Sequence, residues 1–114
     1  MNSEVEKLLN KVEELGWGST KESDTIYVFN KLSPAGQDFS ITINTENDPE
    51  LFVENIYKTY DDFDVSYEAY LWLDNTGHGI NGAPYDMRDV YNDMEACHDM
   101  ILDLYYELNK ILEE

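Results

Sequence analysis

The chain has 114 residues, with 25 acids against 7 bases and a formal net charge of −18 at pH 7. Its 42% hydrophobic and 13% aromatic content is that of a globular domain rather than an acidic disordered tail. The single cysteine, Cys97, excludes an internal disulfide and a CxxC-type zinc site, and a field of this sign opposes direct nucleic-acid binding.

One α+β domain over residues 1–114 is expected, opening on an N-terminal helix. Ser3-Glu4-Val5-Glu6 reads as a capping box, with Ser3 at the N-cap. Val5, Leu8, Leu9, Val12 and Leu15 follow helical spacing, and Gly16 is the natural stop. This predicts a helix over 4–15, with Gly16-Trp17-Gly18-Ser19 as a connector. Residues 25–32 are β-branched and aromatic on both faces, as in a strand covered on both sides, whereas 39–45 alternate cleanly. Ser33-Pro34-Ala35-Gly36-Gln37-Asp38 between them has hairpin length, so an antiparallel hairpin is predicted. Asp48-Pro49-Glu50 opens the first of two middle helices, with Phe52, Ile56 and Tyr60 as its stripe and an end near Asp61-Asp62.

Residues 64–74 fit two patterns. Val65, Tyr67, Ala69, Leu71 and Leu73 alternate like a strand, but Asp64 is a good cap and Glu68, Ala69 and Leu71 form helices well. A helix is the preferred reading and a third strand the alternative. After the glycine-rich stretch 75–83, the residues Met87, Val90, Met94, Cys97, Ile101, Leu104, Leu108 and Ile111 recur at steps of three and four. They predict a long C-terminal helix of about 27 residues, roughly 40 Å at 1.5 Å per residue. Its seam serves the domain's own core or, since it outruns a small domain, a homodimer.

The start, Met1-Asn-Ser-Glu-Val-Glu-Lys, has no apolar h-region, and no apolar run approaches the roughly 18 residues of a membrane span. A cytoplasmic protein without membrane contact is expected. Gly77-His78-Gly79-Ile80-Asn81-Gly82 spells GxGxxG, but Asp86 and Asp89 at the following helix start would repel a pyrophosphate, so the loop reads as a flexible turn. An EF-hand register from Asp74 fails at Tyr85, where a bidentate glutamate belongs. Asp61, Asp62 and Asp64 remain as a weak cation site; His78 and His98 lack zinc-ligand spacing and read as loop or surface residues, and Cys97 reads as a buried small hydrophobe. No catalytic constellation stands out, so no enzymatic activity, cofactor or metal is expected.

The main clue is the acid excess. Residues 59–109 hold twelve carboxylates and one cation, Arg88. Asp89/Asp93, Glu95/Asp99, Asp99/Asp103 and Asp103/Glu107 are each four apart, which destabilises a helix by about 0.2–0.5 kcal/mol per pair and places carboxylates about 5–6 Å from one another. That is close to the separation of successive phosphates on a nucleic-acid strand. Nine tyrosines, several within the same region, exceed what a small core buries with every hydroxyl paired, and exposed tyrosines are good interface anchors. The expected partner surface is Asp86, Asp89, Tyr91, Asp93, Asp99, Asp103, Tyr106 and Glu107, and the expected partner a basic nucleic-acid-binding protein. The alternatives are an adaptor module whose acidity serves solubility and a cation-binding domain.

Ser33-Pro34-Ala35-Gly36-Gln37-Asp38-Phe39, Asn81-Gly82-Ala83-Pro84 and Met87-Arg88-Asp89-Val90 are similar to patterns in small acidic proteins of bacterial phages and mobile elements, a resemblance that covers residues 25–112. In size and charge the chain also resembles DNA-mimic inhibitors of the anti-restriction and anti-CRISPR type. Neither resemblance supplies catalytic residues; at most they make Arg88 an expected internal partner of Asp86, Asp89 or the carbonyls of the asparagine-containing loop.

Overall fold

The computed structural model describes residues 2–114, in the order α1 (Ser3–Glu14), β1 (Gly18–Lys21), β2 (Ile26–Leu32), β3 (Asp38–Asn44), α2 (Pro49–Asp62), α3 (Val65–Tyr70) and α4 (Met87–Glu113). The class is α+β, with the three strands antiparallel in the order β1-β2-β3. The N-cap of α1 is Asn2, one residue earlier than expected. Its Oδ1 accepts from the N–H groups of Glu4 (2.9 Å) and Val5 (3.3 Å), so Ser3 is the first helical residue and no capping box forms. At the other end Gly16 has φ +95°, Gly16 N–H donates to the Glu13 carbonyl and Trp17 N–H to that of Val12. This glycine-dependent Schellman turn stops the helix where the sequence placed its end.

The connector expected at 16–19 contains instead the start of β1, which pairs with β2 from Gly18↔Asn30 to Lys21↔Tyr27. The third strand thus lies before the hairpin, while 65–70 is helical, with Asp64 Oδ1 capping the Tyr67 N–H at 3.1 Å. The hairpin β2–β3 is in register from Ile26↔Asn44 to Leu32↔Asp38. Its alternation is visible in the burial: Tyr27, Phe29, Ile41 and Ile43 are buried while Asn30, Ser40 and Thr42 are exposed. β2 is covered on one face only, contrary to expectation, and Leu32 is exposed at its end.

Three of the four helices, α1, α2 and α4, close over the inner side of the sheet. Val5, Leu8 and Val12 of α1, Phe52, Val53 and Ile56 of α2, and Ile101, Leu104 and Leu108 of α4 close over the buried sheet residues in one core. A second, smaller cluster joins Ala69 of α3 to Val90, Met94 and Cys97 of α4, with Phe39, Phe63 and Met100 touching both. The molecule measures 49 × 25 × 22 Å. Only its long dimension holds a helix of about 40 Å, so α4 runs the length of the fold and ties the two clusters together. From Val90 to Leu108 its apolar seam is buried within the single chain. No helix among the described residues is long and apolar enough to cross a membrane.

Candidate functional site

The buried seam fixes which way the rest of α4 faces. Residues half a turn from Val90, Cys97, Ile101 and Leu108 must point outward. Glu95, Asp99 and Asp103 are there, all exposed, at successive i, i+4 positions. Among the described residues none of the three carboxylates has a hydrogen bond or ion pair. Tyr106 extends the row and is 53% exposed. Its ring lies 5.5 Å from that of Tyr105, which in turn sits 5.0 Å from Tyr57 of α2. The acidic row therefore ends in a group of three tyrosines. An open groove of about 780 Å³, lined by Leu15, Asp103, Tyr106, Glu107 and Lys110 among others, runs alongside.

The other expected contact residues divide. Asp86 and Asp89 are exposed at the start of α4, where Asp86 Oδ1 accepts from the Arg88 N–H at 2.8 Å and both charges suit the helix dipole. Asp93 is not part of the surface: it is 4% exposed, and its carboxylate accepts from Ser33 Oγ at 2.6 Å and from the Ala35 N–H at 2.9 Å. It holds the β2–β3 turn onto α4. Tyr91 is half-buried against the Ala69–Cys97 cluster and is no free anchor. Glu107 takes the ammonium of Lys110 at 3.1 Å. Arg88 forms no ion pair with Asp86 or Asp89; its backbone, not its guanidinium, makes the contact with Asp86. Glu95, Tyr57 and Tyr105 were not in the expected set. Glu95 was signalled by its i, i+4 relation to Asp99, whereas the tyrosine group depends on how α2 meets α4 and has no sequence signal.

Cys97 is fully buried; burial, with Asp93 and then Glu68 adding to it, pushes its thiol up to about 12. It is an inert core residue at neutral pH, as its position on the seam implied. His98 is no free surface histidine. Its ring stacks on Tyr60 at 4.0 Å and on Phe63 at 5.1 Å, and its Nε2–H donates to the Tyr60 carbonyl at 2.9 Å. The Phe63 N–H reaches the same carbonyl at 3.3 Å, so His98 adds a second donor at an α2 terminus whose last turn has no basic residue.

The glycine-rich loop has a defined structure rather than that of a flexible turn. Asp74 Oδ1 accepts from the Thr76 N–H (2.8 Å), Thr76 Oγ1 (2.6 Å) and the His78 N–H (3.1 Å), and these bonds hold its carboxyl below the usual range. His78 stacks on Tyr85 at 4.0 Å. Gly79 is demanded by close approach, since a Cβ there would lie 1.8 Å from the Pro84 carbonyl oxygen. Among the described residues no three His, Cys, Asp or Glu side chains converge as metal ligands. Compared with protein-family models, curated proteins and solved structures, the chain has no match.

Proposed function

We propose that this chain is a protein-binding inhibitor whose outward α4 face imitates a run of nucleic-acid phosphates and occupies the basic groove of a nucleic-acid-binding protein, as anti-restriction and anti-CRISPR inhibitors of bacterial phages and mobile elements do. The observation that carries the reading is the row Glu95, Asp99 and Asp103: exposed, one turn apart and without cationic partners. The row spans about 12 Å at 1.5 Å per residue, a few phosphates' length. Such a row works against the helix that bears it, so folding alone does not select it. Tyr106, with Tyr105 and Tyr57 behind it, supplies an amphipathic anchor at one end. Asp86 and Asp89 extend the negative field at the other. Opposed fields would accelerate encounter and make it steeply salt-dependent. The site of action is then that of the target, the cytoplasm.

The test is capture of partners from bacterial lysate at low and high salt by the wild type, by the triple variant Glu95→Gln/Asp99→Asn/Asp103→Asn, and by a charge-matched control, Glu4→Gln/Glu14→Gln/Glu54→Gln. The reading expects nucleic-acid-binding proteins, retained by the control and lost by the triple variant. Equal retention by all three would remove the α4 face from the account. A second reading, an adaptor module, is favoured by a different observation: Tyr67, Tyr70, Leu71 and Tyr85 are all at least half exposed around α3 and the loop. It expects salt-insensitive capture that survives the triple variant and is lost on Tyr70→Ala/Tyr85→Ala.

A further inference from the structure

The free edge of β3 is built differently from that of β1. Two hydrogen bonds bracket the β2–β3 ladder, Thr45 N–H to the Thr25 carbonyl at 2.7 Å and Ser33 N–H to the Gln37 carbonyl at 2.8 Å. They set its phase. Phe39, Ile41 and Ile43 turn their N–H and C=O groups toward β2, and Asp38, Ser40, Thr42 and Asn44 turn theirs away. Asn55 Nδ2 covers the Asn44 carbonyl at 2.8 Å. Among the described residues nothing hydrogen-bonds the main chain of Ser40 or Thr42.

Natural edges are blunted by shortness, lysine, proline or a bulge. β1 follows that rule, being four residues long and ending in Lys21. β3 has seven residues, with no lysine, no proline and an unbroken register. Beside its first half, between the strand and α3, lies a cleft of about 330 Å³ lined by Phe39, Ser40, Glu68, Leu71, Trp72 and Met94 among others. Its acids are Asp38 and Glu68, and no lysine or arginine lines it. Burial, and then the charge of Asp64, hold the Glu68 carboxyl above its ordinary range, as befits a carboxylate without a cation.

We propose that the free edge of β3 takes an extended, lysine-bearing peptide segment as a fourth strand, with an apolar side chain of that segment in the cleft on Leu71 and Trp72 and a lysine ammonium on Glu68. Main-chain bonds to Ser40 and Thr42 supply the pairing, and the cleft supplies the preference for side chain and charge. The site does not rest on the reading of the outward α4 face. Met94, which lines the cleft, is on the buried side of α4, away from Glu95, Asp99 and Asp103.

The probe is a capped peptide of about eight residues with threonine at every other position and lysine and valine alternating between them, so that both share the face toward the cleft. It is titrated into the full chain and followed by amide chemical shifts and hydrogen exchange. A peptide of equal charge, with proline at every other position, cannot pair with an edge and controls for attraction to the net charge. The expected result is shift changes and slowed exchange at residues 38–42 with the first peptide only. Glu68→Gln should weaken binding about fivefold, the upper end for a solvent-accessible ion pair. Ser40→Pro should abolish it while leaving the bonds to β2 intact, because that N–H points away from the ladder. Equal binding of the proline peptide, shifts centred on Glu95, Asp99 and Asp103, or indifference to Glu68→Gln would each overturn the proposal.

Discussion

Asp93→Ala separates a carboxylate that builds the fold from carboxylates that only face outward. In the native chain the Asp93 side chain accepts the Ser33 hydroxyl at 2.6 Å and the Ala35 N–H at 2.9 Å. Hydrogen bonds to an ionised group contribute about 1.5–3 kcal/mol each. Two of them set a gross loss of about 3–6 kcal/mol. Against this, the variant relieves the desolvation of a buried charge and a repulsion with Asp89, one turn back, of about 0.2–0.5 kcal/mol. The net expectation is a loss of about 2–3 kcal/mol. In urea, with a slope of about 1–1.5 kcal/mol per molar for a chain of this size, the midpoint falls by about 2 M at unchanged slope. Asp99→Ala, on the outward face, should stay within about 0.5 kcal/mol of wild type or exceed it. A midpoint for Asp93→Ala within about 0.5 M of wild type would refute the assignment, and so would equal losses in the two variants.

Replacing His98 by alanine removes its stack with Tyr60 and Phe63 and the donor to the Tyr60 carbonyl; a loss of about 1–2 kcal/mol is expected in the same urea assay. Gly79→Ala must break the loop's contact with Pro84, so amide shifts should change throughout 74–85 while those of α4 beyond Met94 hold. The raised carboxyl of Glu68 contributes stability below its unfolded pKa and loses it as pH rises through the folded value. Glu68→Gln should therefore raise the Tm at pH 7, with the difference vanishing below about pH 4. Cys97 should resist thiol reagents in the native chain and react only as fast as the chain opens, since its thiol is buried and pushed up to about 12. Rapid labelling without unfolding would contradict that.

The helices were legible because their signals are local. Asp48-Pro49, Gly16 and the three-four spacing from Val90 to Leu108 each act within a turn or two of chain, and the structure puts α2, the end of α1 and α4 where those residues placed them. β1 was hidden because Gly18-Ser19-Thr20-Lys21 has no apolar alternation of its own; it is a strand because β2 offers it an edge. Single-sided cover of β2 was hidden for a related reason, since Ile26 and Val28 have strand-forming shape whether or not a layer covers them. In the candidate site the split between Asp99 and Asp93 was readable. Asp93 stands three residues after Val90 and four before Cys97, on the buried side of the wheel, and counting acids by spacing alone overlooked it. That its charge would be met by a turn 60 residues earlier was not readable, because that depends on tertiary placement.

The central claim is that the outward face of α4 and a nucleic acid compete for one groove, and the most direct measurement is whether they coexist on the same protein. A partner captured through Glu95, Asp99 and Asp103 is mixed with labelled duplex DNA and increasing amounts of the chain, and the bound DNA is followed by fluorescence anisotropy. The account predicts full displacement of the duplex at stoichiometric chain, with the midpoint shifted to higher concentration by Glu95→Gln/Asp99→Asn/Asp103→Asn. A stable ternary complex of partner, duplex and chain would contradict it.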